Sequence, residues 1–290
     1  MTALDGHPPS EVQYFCSFHK MIDILLPIYN GERYLREQIV SLEGQTCRDF
    51  RIIVRNDGST DQSENIIHEA AREYDNILVV EDCLGNVGLS RCLEILISHS
   101  TAPYFMFCDQ DDRWKPDKME KSIKVLQEIE KRNPNRPVLV CTDSTCVDDE
   151  GNVIAESFYE SQRFMDVIGD TTKMLAQNVV QGNTCIMNAS CKQYIVPFPR
   201  YGLYDQWAGV MICHYGLVYY MHEQTLWYRQ HTGNVLGANN VGVRYFSSKL
   251  LHLRRQCRLY HCLFHSLPFR VNFLRWAFYK VYYSLRRCLR

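Results

Sequence analysis

Between residues 21 and 131 the chain alternates short apolar runs with longer stretches in which apolar residues recur every three or four positions. Ile22–Tyr29 reads as a first buried strand, and Asn30-Gly31 as a turn whose Asn30 caps a helix running to about Glu43. Tyr34, Leu35, Ile39 and Leu42 give that helix its apolar face. Phe50–Val54 predicts a second strand. Ser59 and Gln62 then form a capping box for a helix that buries Ile66, Ile67, Ala70 and Tyr74. Ile77–Val80 is a third strand, and a helix through Leu89, Leu93, Leu96 and Ile97 follows. Pro103–Cys108 is a fourth strand, and a helix over Asp117–Lys131 turns Met119, Ile123, Leu126 and Ile129 inward. Strands alternating with helices of this length imply βαβ units and a mostly parallel sheet.

Beyond residue 131 the alternation is lost. Val138–Thr142 and Cys146–Ile154 predict strands, the latter containing a hairpin turn at Asp149–Asn152. A short strand is expected at Cys185–Met187, a helix at Leu203–His214 and a late strand at Leu217–Met221. The C-terminal segment is amphipathic. Phe246, Leu250, Leu253, Cys257, Tyr260 and Phe264 form one stripe, Pro268 breaks it, and Val271, Leu274, Phe278, Val281 and Leu285 form another.

Charge separates this tail from the rest. Residues 241–290 hold eleven Lys/Arg and no Asp or Glu; subtracting them from the formal net charge of −1 leaves −12 for residues 1–240. An acidic body with a basic, aromatic-rich tail predicts different partners for each. The tail suits the surface of an anionic membrane, with packing on the body or on another subunit as the alternative; the acidic body argues against nucleic acid. The 13 cysteines show no C-x-x-C pair and no finger-like spacing with histidine, so a reducing compartment is expected rather than a disulfide framework. Residues 1–9 have neither the basic nor the apolar region of a secretory signal, and no apolar run reaches the ~18 residues of a membrane span.

The chemistry gathers where predicted strands end. The first loop offers Pro27, Tyr29 and Asn30, the second Asp57, Gly58, Ser59 and Asp61, and the fourth Asp109, Asp111 and Asp112. Ligands bind at the carboxyl edge of open α/β sheets. Three carboxylates within four residues repel unless a cation joins them, and Mg²⁺ sites commonly combine one or two carboxylates with substrate phosphates. The chain has neither a G-x-G-x-x-G after the first strand nor a P-loop, which disfavours a dinucleotide oxidoreductase and a P-loop NTPase.

The segments Leu26–Glu32, Arg36–Gln38, Gln45-Thr46, Asn56–Asp61, Asn86–Gly88 and Asp109–Trp114 together resemble the family 2 glycosyltransferases of GT-A fold, and most of all a bacterial rhamnosyltransferase-like branch. Tyr204–Trp207 and Tyr228–Val235 fit the same branch. The resemblance implies a GT-A, Rossmann-like sandwich at residues 21–240, with a nucleotide-sugar half at 21–115 and an acceptor half at 116–240. An N-terminal extension (1–20) would precede it, and a basic amphipathic helical tail (241–290) would follow. It further implies an inverting enzyme that uses Mg²⁺ or Mn²⁺. The enzyme would move a sugar, with dTDP-linked rhamnose as the branch's donor, onto a surface polysaccharide or lipid-linked glycan. Its place would be cytoplasmic, peripheral on the inner face of the cell membrane. Asp57 would contact the nucleotide base, with Pro27, Tyr29, Asn30, Asn86 and Gln110 also on the donor. Asp109 would lie near the ribose and phosphates, Asp111 and His231 on the metal, and Asp205 would be the catalytic base. Gln206 departs from the family's usual aromatic after that acid. Asp112 is a further candidate for the metal, and Gly182–Thr184 for shaping an acceptor pocket. A nucleotidyltransferase, which would want a basic phosphate clamp near the first strand, and a non-catalytic nucleotide-sugar-binding scaffold remain the rival readings.

Overall fold

A computed structural model describes residues 21–200, 203–231 and 253–288. The expected extension at 1–20, the motif residues beyond His231, the boundary at 240 and the first part of the tail's apolar stripe lie outside them.

Strands β1 (Ile22–Ile28), β2 (Phe50–Asn56), β3 (Ile77–Val79) and β4 (Tyr104–Phe107) form the parallel half of one sheet, in the order β3-β2-β1-β4. β1, β2 and β4 are buried on both faces, which is why the first strand reads as a continuous apolar run, whereas β3 is a part-exposed edge strand. The exception within it, Asp23, is fully buried but satisfied: Arg51 forks onto it at 2.9 and 3.1 Å, and the Thr101 and Ala102 amides donate to it. Helices α1 (Leu35–Glu43), α2 (Ser63–Glu73) and α4 (Lys118–Arg132) pack with Ile24, Leu26 and Ile28 on one face. Helix α3 (Leu89–His99) packs with Leu25 on the other.

The sheet is not mostly parallel. After β5 (Arg113–Trp114) come β6 (Val138–Val147), β7 (Val153–Ala155), β8 (Ile186–Asn188) and β9 (Leu217–Arg229). β8 is antiparallel to both β4 and β6, β7 folds back on β6, β5 is antiparallel to β9, and only β6–β9 is parallel. The full order is β3-β2-β1-β4-β8-β6-β9-β5, a mixed sheet. Parallel pairing needs a crossover helix between successive strands, and the sequence beyond residue 131 supplies hairpins and short helices instead. These are α5 (Phe158–Ser161), α6 (Thr171–Ala176) and α7 (Lys192–Ile195), followed by the longer α8 (Tyr204–Tyr215).

Two predicted caps are absent. Asn30 does not cap α1: its φ is +49°, and its Oδ1 accepts from the Thr60 amide at 2.8 Å, across to the next loop. Ser59 does not cap α2 either; it accepts from the Asn30 amide at 2.9 Å, and Asp61 takes the Ser63 amide. Both polar side chains are used to join two loops rather than to start a helix.

The tail forms α9 (Leu253–Ser266) and α10 (Phe273–Cys288). Leu263, Trp276 and Tyr283 are buried in the same apolar cluster as Leu175, Met174 and Trp207, so one side of the tail is packed on the body. Among the described residues no helix is long and apolar enough to cross a membrane.

Candidate active site

The parallel register sets the site. Ile28 lies beside Asn56, and Leu25 beside Phe107, so the loops after β1, β2 and β4 leave the sheet on one edge and meet. Gln110 locks the first to the third: the Tyr29 amide donates to its Oε1 and its Nε2 donates to the Tyr29 carbonyl, both at 2.9 Å. A Cβ on Gly31 would strike this amide, so the close approach needs glycine there. Tyr29 and Asn30 are exposed at the mouth, while Pro27 is buried in β1 opposite Arg55.

Asp57 is buried and fully engaged. Its oxygens accept from the Val87 amide at 3.0 Å and the Gly88 amide at 2.9 Å, and Arg55 donates to it. Arg55 also forks onto Asp82 at 2.8 and 2.9 Å and donates to the Gly85 carbonyl. This network fixes the 82–88 loop, with Asn86 exposed on it, against the end of β2.

The acidic tetrad is split by its neighbours. β5 pairs antiparallel with β9, Arg113 opposite Trp227, which carries the residues after β9 back over the tetrad. His231 Nε2 therefore lies 2.9 Å from Asp111 Oδ2. Arg229 holds this arrangement: its Nε donates to the Asp111 carbonyl (3.1 Å), Nη1 to the Asp149 carbonyl (2.9 Å) and Nη2 to Glu37 (2.5 Å). Tyr34 flanks it, its ring centre 5.0 Å from that of His231. Asp112 faces inward; it accepts from the Arg229 amide at 3.1 Å and from Asn183. With both oxygens committed and 1% exposure, Asp112 braces the tetrad from behind instead of facing the Asp111–His231 pair.

Helix α8 brings a further carboxylate to the same place. Tyr204, at its first turn, points its hydroxyl at Asp109 Oδ1, 3.4 Å away. Its ring packs edge-on against Phe107 and Phe198, and a Cβ on Gly182 would overlap the Tyr204 ring and hydroxyl. Asp205 follows. Asn178 Nδ2 donates to its Oδ1 at 3.1 Å and its neighbour's amide at 2.6 Å. Burial pushes the Asp205 carboxyl up to about 6, against these hydrogen bonds, which pull it down. Burial also raises Asp109, reinforced by the Asp111 and Asp205 charges, and raises Asp112, reinforced by Asp111 and Asp109. The protein thus gathers more negative charge than its own cations neutralise.

That imbalance fits a divalent cation. The Asp111 carboxylate and the His231 imidazole are suitable hard and borderline donors. Among the described residues no three Asp, Glu, His or Cys side chains form a metal-holding group, so two protein ligands would be completed by donor phosphates and water, as is common for Mg²⁺.

The structure brings Asp109, Asp111, His231 and Asp205 together. Asn30 and Gln110 serve as braces between loops. Arg229, Asn178, Tyr204 and Glu37 have roles that the sequence did not reveal; Arg229, Tyr204 and Glu37 lay inside the resemblance segments without a role of their own, and Asn178 carried no signal.

Residues 23–154 match the model of Glycosyl transferase family 2. An uncharacterized glycosyltransferase of Rickettsia typhi is 25% identical over 213 residues, covering 73% of this chain and 59% of the relative. The chain thus spans less than two thirds of that relative's length. The teichoic acid poly(glycerol phosphate) polymerase of Staphylococcus epidermidis is 37% identical over 91 residues, 31% of this chain and 13% of the relative. Among solved structures, S. aureus TarS 1–349 in complex with UDP-GlcNAc superimposes with a TM-score of 0.61 at 16% identity, covering 92% of this chain and 72% of that one. The mannosyltransferase PcManGT of Pyrobaculum calidifontis, solved with GDP-Man and Mn²⁺, gives 0.54 at 17% identity, covering 82% and 64%. These two likenesses show an α/β fold of GT-A type, and the segment that matches the family model carries the parallel strands and the acidic tetrad.

Proposed function

We propose that the protein transfers a sugar from a nucleoside-diphosphate donor to a hydroxyl of a cell-surface polysaccharide or lipid-linked glycan, with inversion at the anomeric carbon. The observation that carries this reading is the convergence of Asp109, the Asp111–His231 pair and Asp205 at the carboxyl edge of the parallel strands. A carboxylate raised to about 6 is ionised at neutral pH yet basic enough to accept the acceptor's hydroxyl proton, a contribution of about 10²–10⁴-fold. Asn178 orients it. Asp111 and His231 would hold Mg²⁺ or Mn²⁺, which when bound acts as a Lewis acid on the departing diphosphate.

Asp57 and the Asn86 loop would form the base end of the donor pocket, with Tyr29 and Asn30 lining its mouth, Pro27 buried in β1 behind them and Gln110 fixing its floor. UDP-GlcNAc in TarS and GDP-Man with Mn²⁺ in PcManGT support the donor class and the metal. dTDP-rhamnose is the first donor to test. Arg33 and Arg36, the cations that follow β1 in the chain, are paired with Asp149 at 3.5 Å and Glu69 at 2.5 Å. This disfavours a nucleotidyltransferase, whose phosphates would need them. The same reading places the protein peripherally at the inner face of the cell membrane, where such acceptors are built.

Calorimetric titration with a panel of nucleoside-diphosphate sugars, with Mn²⁺ and with chelator, tests the assignment. One donor should bind only with metal, and Asp111→Asn should abolish that binding while leaving the thermal melt of the protein intact. Equal binding in chelator, or by the variant, would sink the metal-site assignment.

A further inference from the structure

Helix α10 has two faces of opposite fate. Trp276 and Tyr283 are buried on the body, Lys280 Nζ donates to the Ala176 carbonyl at 2.8 Å, and Arg275 pairs with Asp170 at 2.6 Å. The opposite face exposes Phe273, Leu274, Phe278, Val281, Tyr282 and Leu285, with Leu274 at 79% and Phe278 at 65%. At 100° per residue these six fall within one half of the helix circumference, a continuous apolar stripe along 16 residues. Arg275 and Arg286 lie along one edge of it, and exposed Arg270 precedes the helix.

The geometry points to this face as a docking surface for an anionic lipid bilayer. A stripe of large apolar side chains bordered by arginines has the chemistry of a helix lying in the plane of the membrane interface, apolar face in the acyl boundary and charge among the headgroups. Charge complementarity selects the occupant. From residue 241 onward the chain has no acidic side chain, so two copies related by a twofold axis across this face would bring like charges together. A nucleic acid would meet the apolar stripe where it needs cations. The anchoring contacts to α6 hold the stripe outward without the ordering cost of a free helix.

The surface is also joined to the acceptor side. Lys280 grips the last residue of α6, and two residues on, Asn178 holds Asp205. A membrane-borne acceptor would thus arrive at the half of the molecule that carries the base; this last link, unlike the docking itself, rests on the transfer reading.

Co-sedimentation of the full chain with vesicles tests the proposal, using phosphatidylcholine alone and phosphatidylcholine mixed with phosphatidylglycerol. The wild type should pellet with the anionic vesicles, and Asp205→Asn should pellet equally, because docking requires no catalysis. Leu274→Glu with Phe278→Glu, both at exposed positions, should lower the bound fraction at least about tenfold with an unchanged circular dichroism spectrum and melt. Arg270→Gln with Arg286→Gln should weaken binding to anionic vesicles about fivefold per arginine. A wild type that stays in the supernatant with both vesicles overturns the proposal. So does a lipid-free dimer that the Leu274/Phe278 variant dissociates, which would make the face an interface between copies.

Discussion

Asp205 is asked to be a half-buried base, and this has a thermodynamic consequence that an amide can expose. Its carboxyl ionises at about 6 in the folded protein against 3.8 in an unfolded chain, because burial penalises the charged form. At about 1.4 kcal/mol per unit this is about 3 kcal/mol, reduced to about 2 kcal/mol because solvent still reaches the partly exposed side chain. The sign follows from proton binding. Between 3.8 and about 6 the folded state holds a proton that the unfolded state has lost, so stability falls as pH rises through that window. Above it the penalty is complete, and below it the penalty is absent. Asp205→Asn keeps the shape and leaves an oxygen to accept from Asn178 and the Gln206 amide, but carries no charge. Urea denaturation near neutral pH should find the variant more stable by about 2 kcal/mol, the gain vanishing below the unfolded value of 3.8. Transfer by the same variant should fall by about 10²–10⁴-fold with donor affinity unchanged. The wild-type rate should rise with unit slope to a plateau above about 6. A variant less stable than the wild type at neutral pH, or a difference independent of pH, would make Asp205 an anchor of α8 and refute the reasoning.

Two other residues should be intolerant of small changes. Arg229→Lys keeps the charge but cannot reach Glu37 and the Asp111 and Asp149 carbonyls together; a loss of about 2–4 kcal/mol in chemical denaturation, with weakened metal-dependent donor binding, is expected. A variant as stable as the wild type would show that the guanidinium fork is dispensable. Gly182→Ala adds a methyl where the Tyr204 ring and hydroxyl lie, which should cost about 1–3 kcal/mol and lower the transfer rate by moving Tyr204 off Asp109; an unchanged melt and rate would count against that packing.

The first half of the fold, to the end of α4, was legible because its elements satisfy themselves locally. Continuous apolar runs such as Ile52–Val54 and Tyr104–Phe107 are strands buried on both faces, and the three-and-four spacing of Met119, Ile123 and Leu126 makes a helix face. The half beyond α4 was less legible because its order depends on pairings far apart in sequence. The three residues Ile186–Asn188 become a central strand only because Met106 and Val140 flank Ile186. Nothing local in Arg113-Trp114 announces a strand whose partner is Leu226-Trp227. The amphipathic tail was legible as two helices, but periodicity alone could not say that Trp276 faces the body while Phe278 faces out.

The site divides along the same line, and the division has a physical cause. Residues that would meet a ligand stand out in two ways. Asp109 and Asp111 are carboxylates crowded at a strand end, where they repel one another. Asp205, at a helix start that would suit any Asp, stands out through its motif alone. Residues that hold those groups in place look ordinary, because each bonds to something far along the chain, as in Asn178 to Asp205 (27 positions) and Tyr204 to Asp109 (95 positions). Asn30 shows how a local rule fails at such a place. Its sequence context asks for a helix cap, yet its left-handed backbone and its bond to Thr60 tie two loops at the mouth of the site. A helix cap contributes about 1 kcal/mol wherever it forms, whereas a cross-brace fixes the spacing between loops on which a donor pocket depends. Polar side chains that forgo a nearby cap for a distant loop therefore mark the edge of the sheet where a ligand would be held.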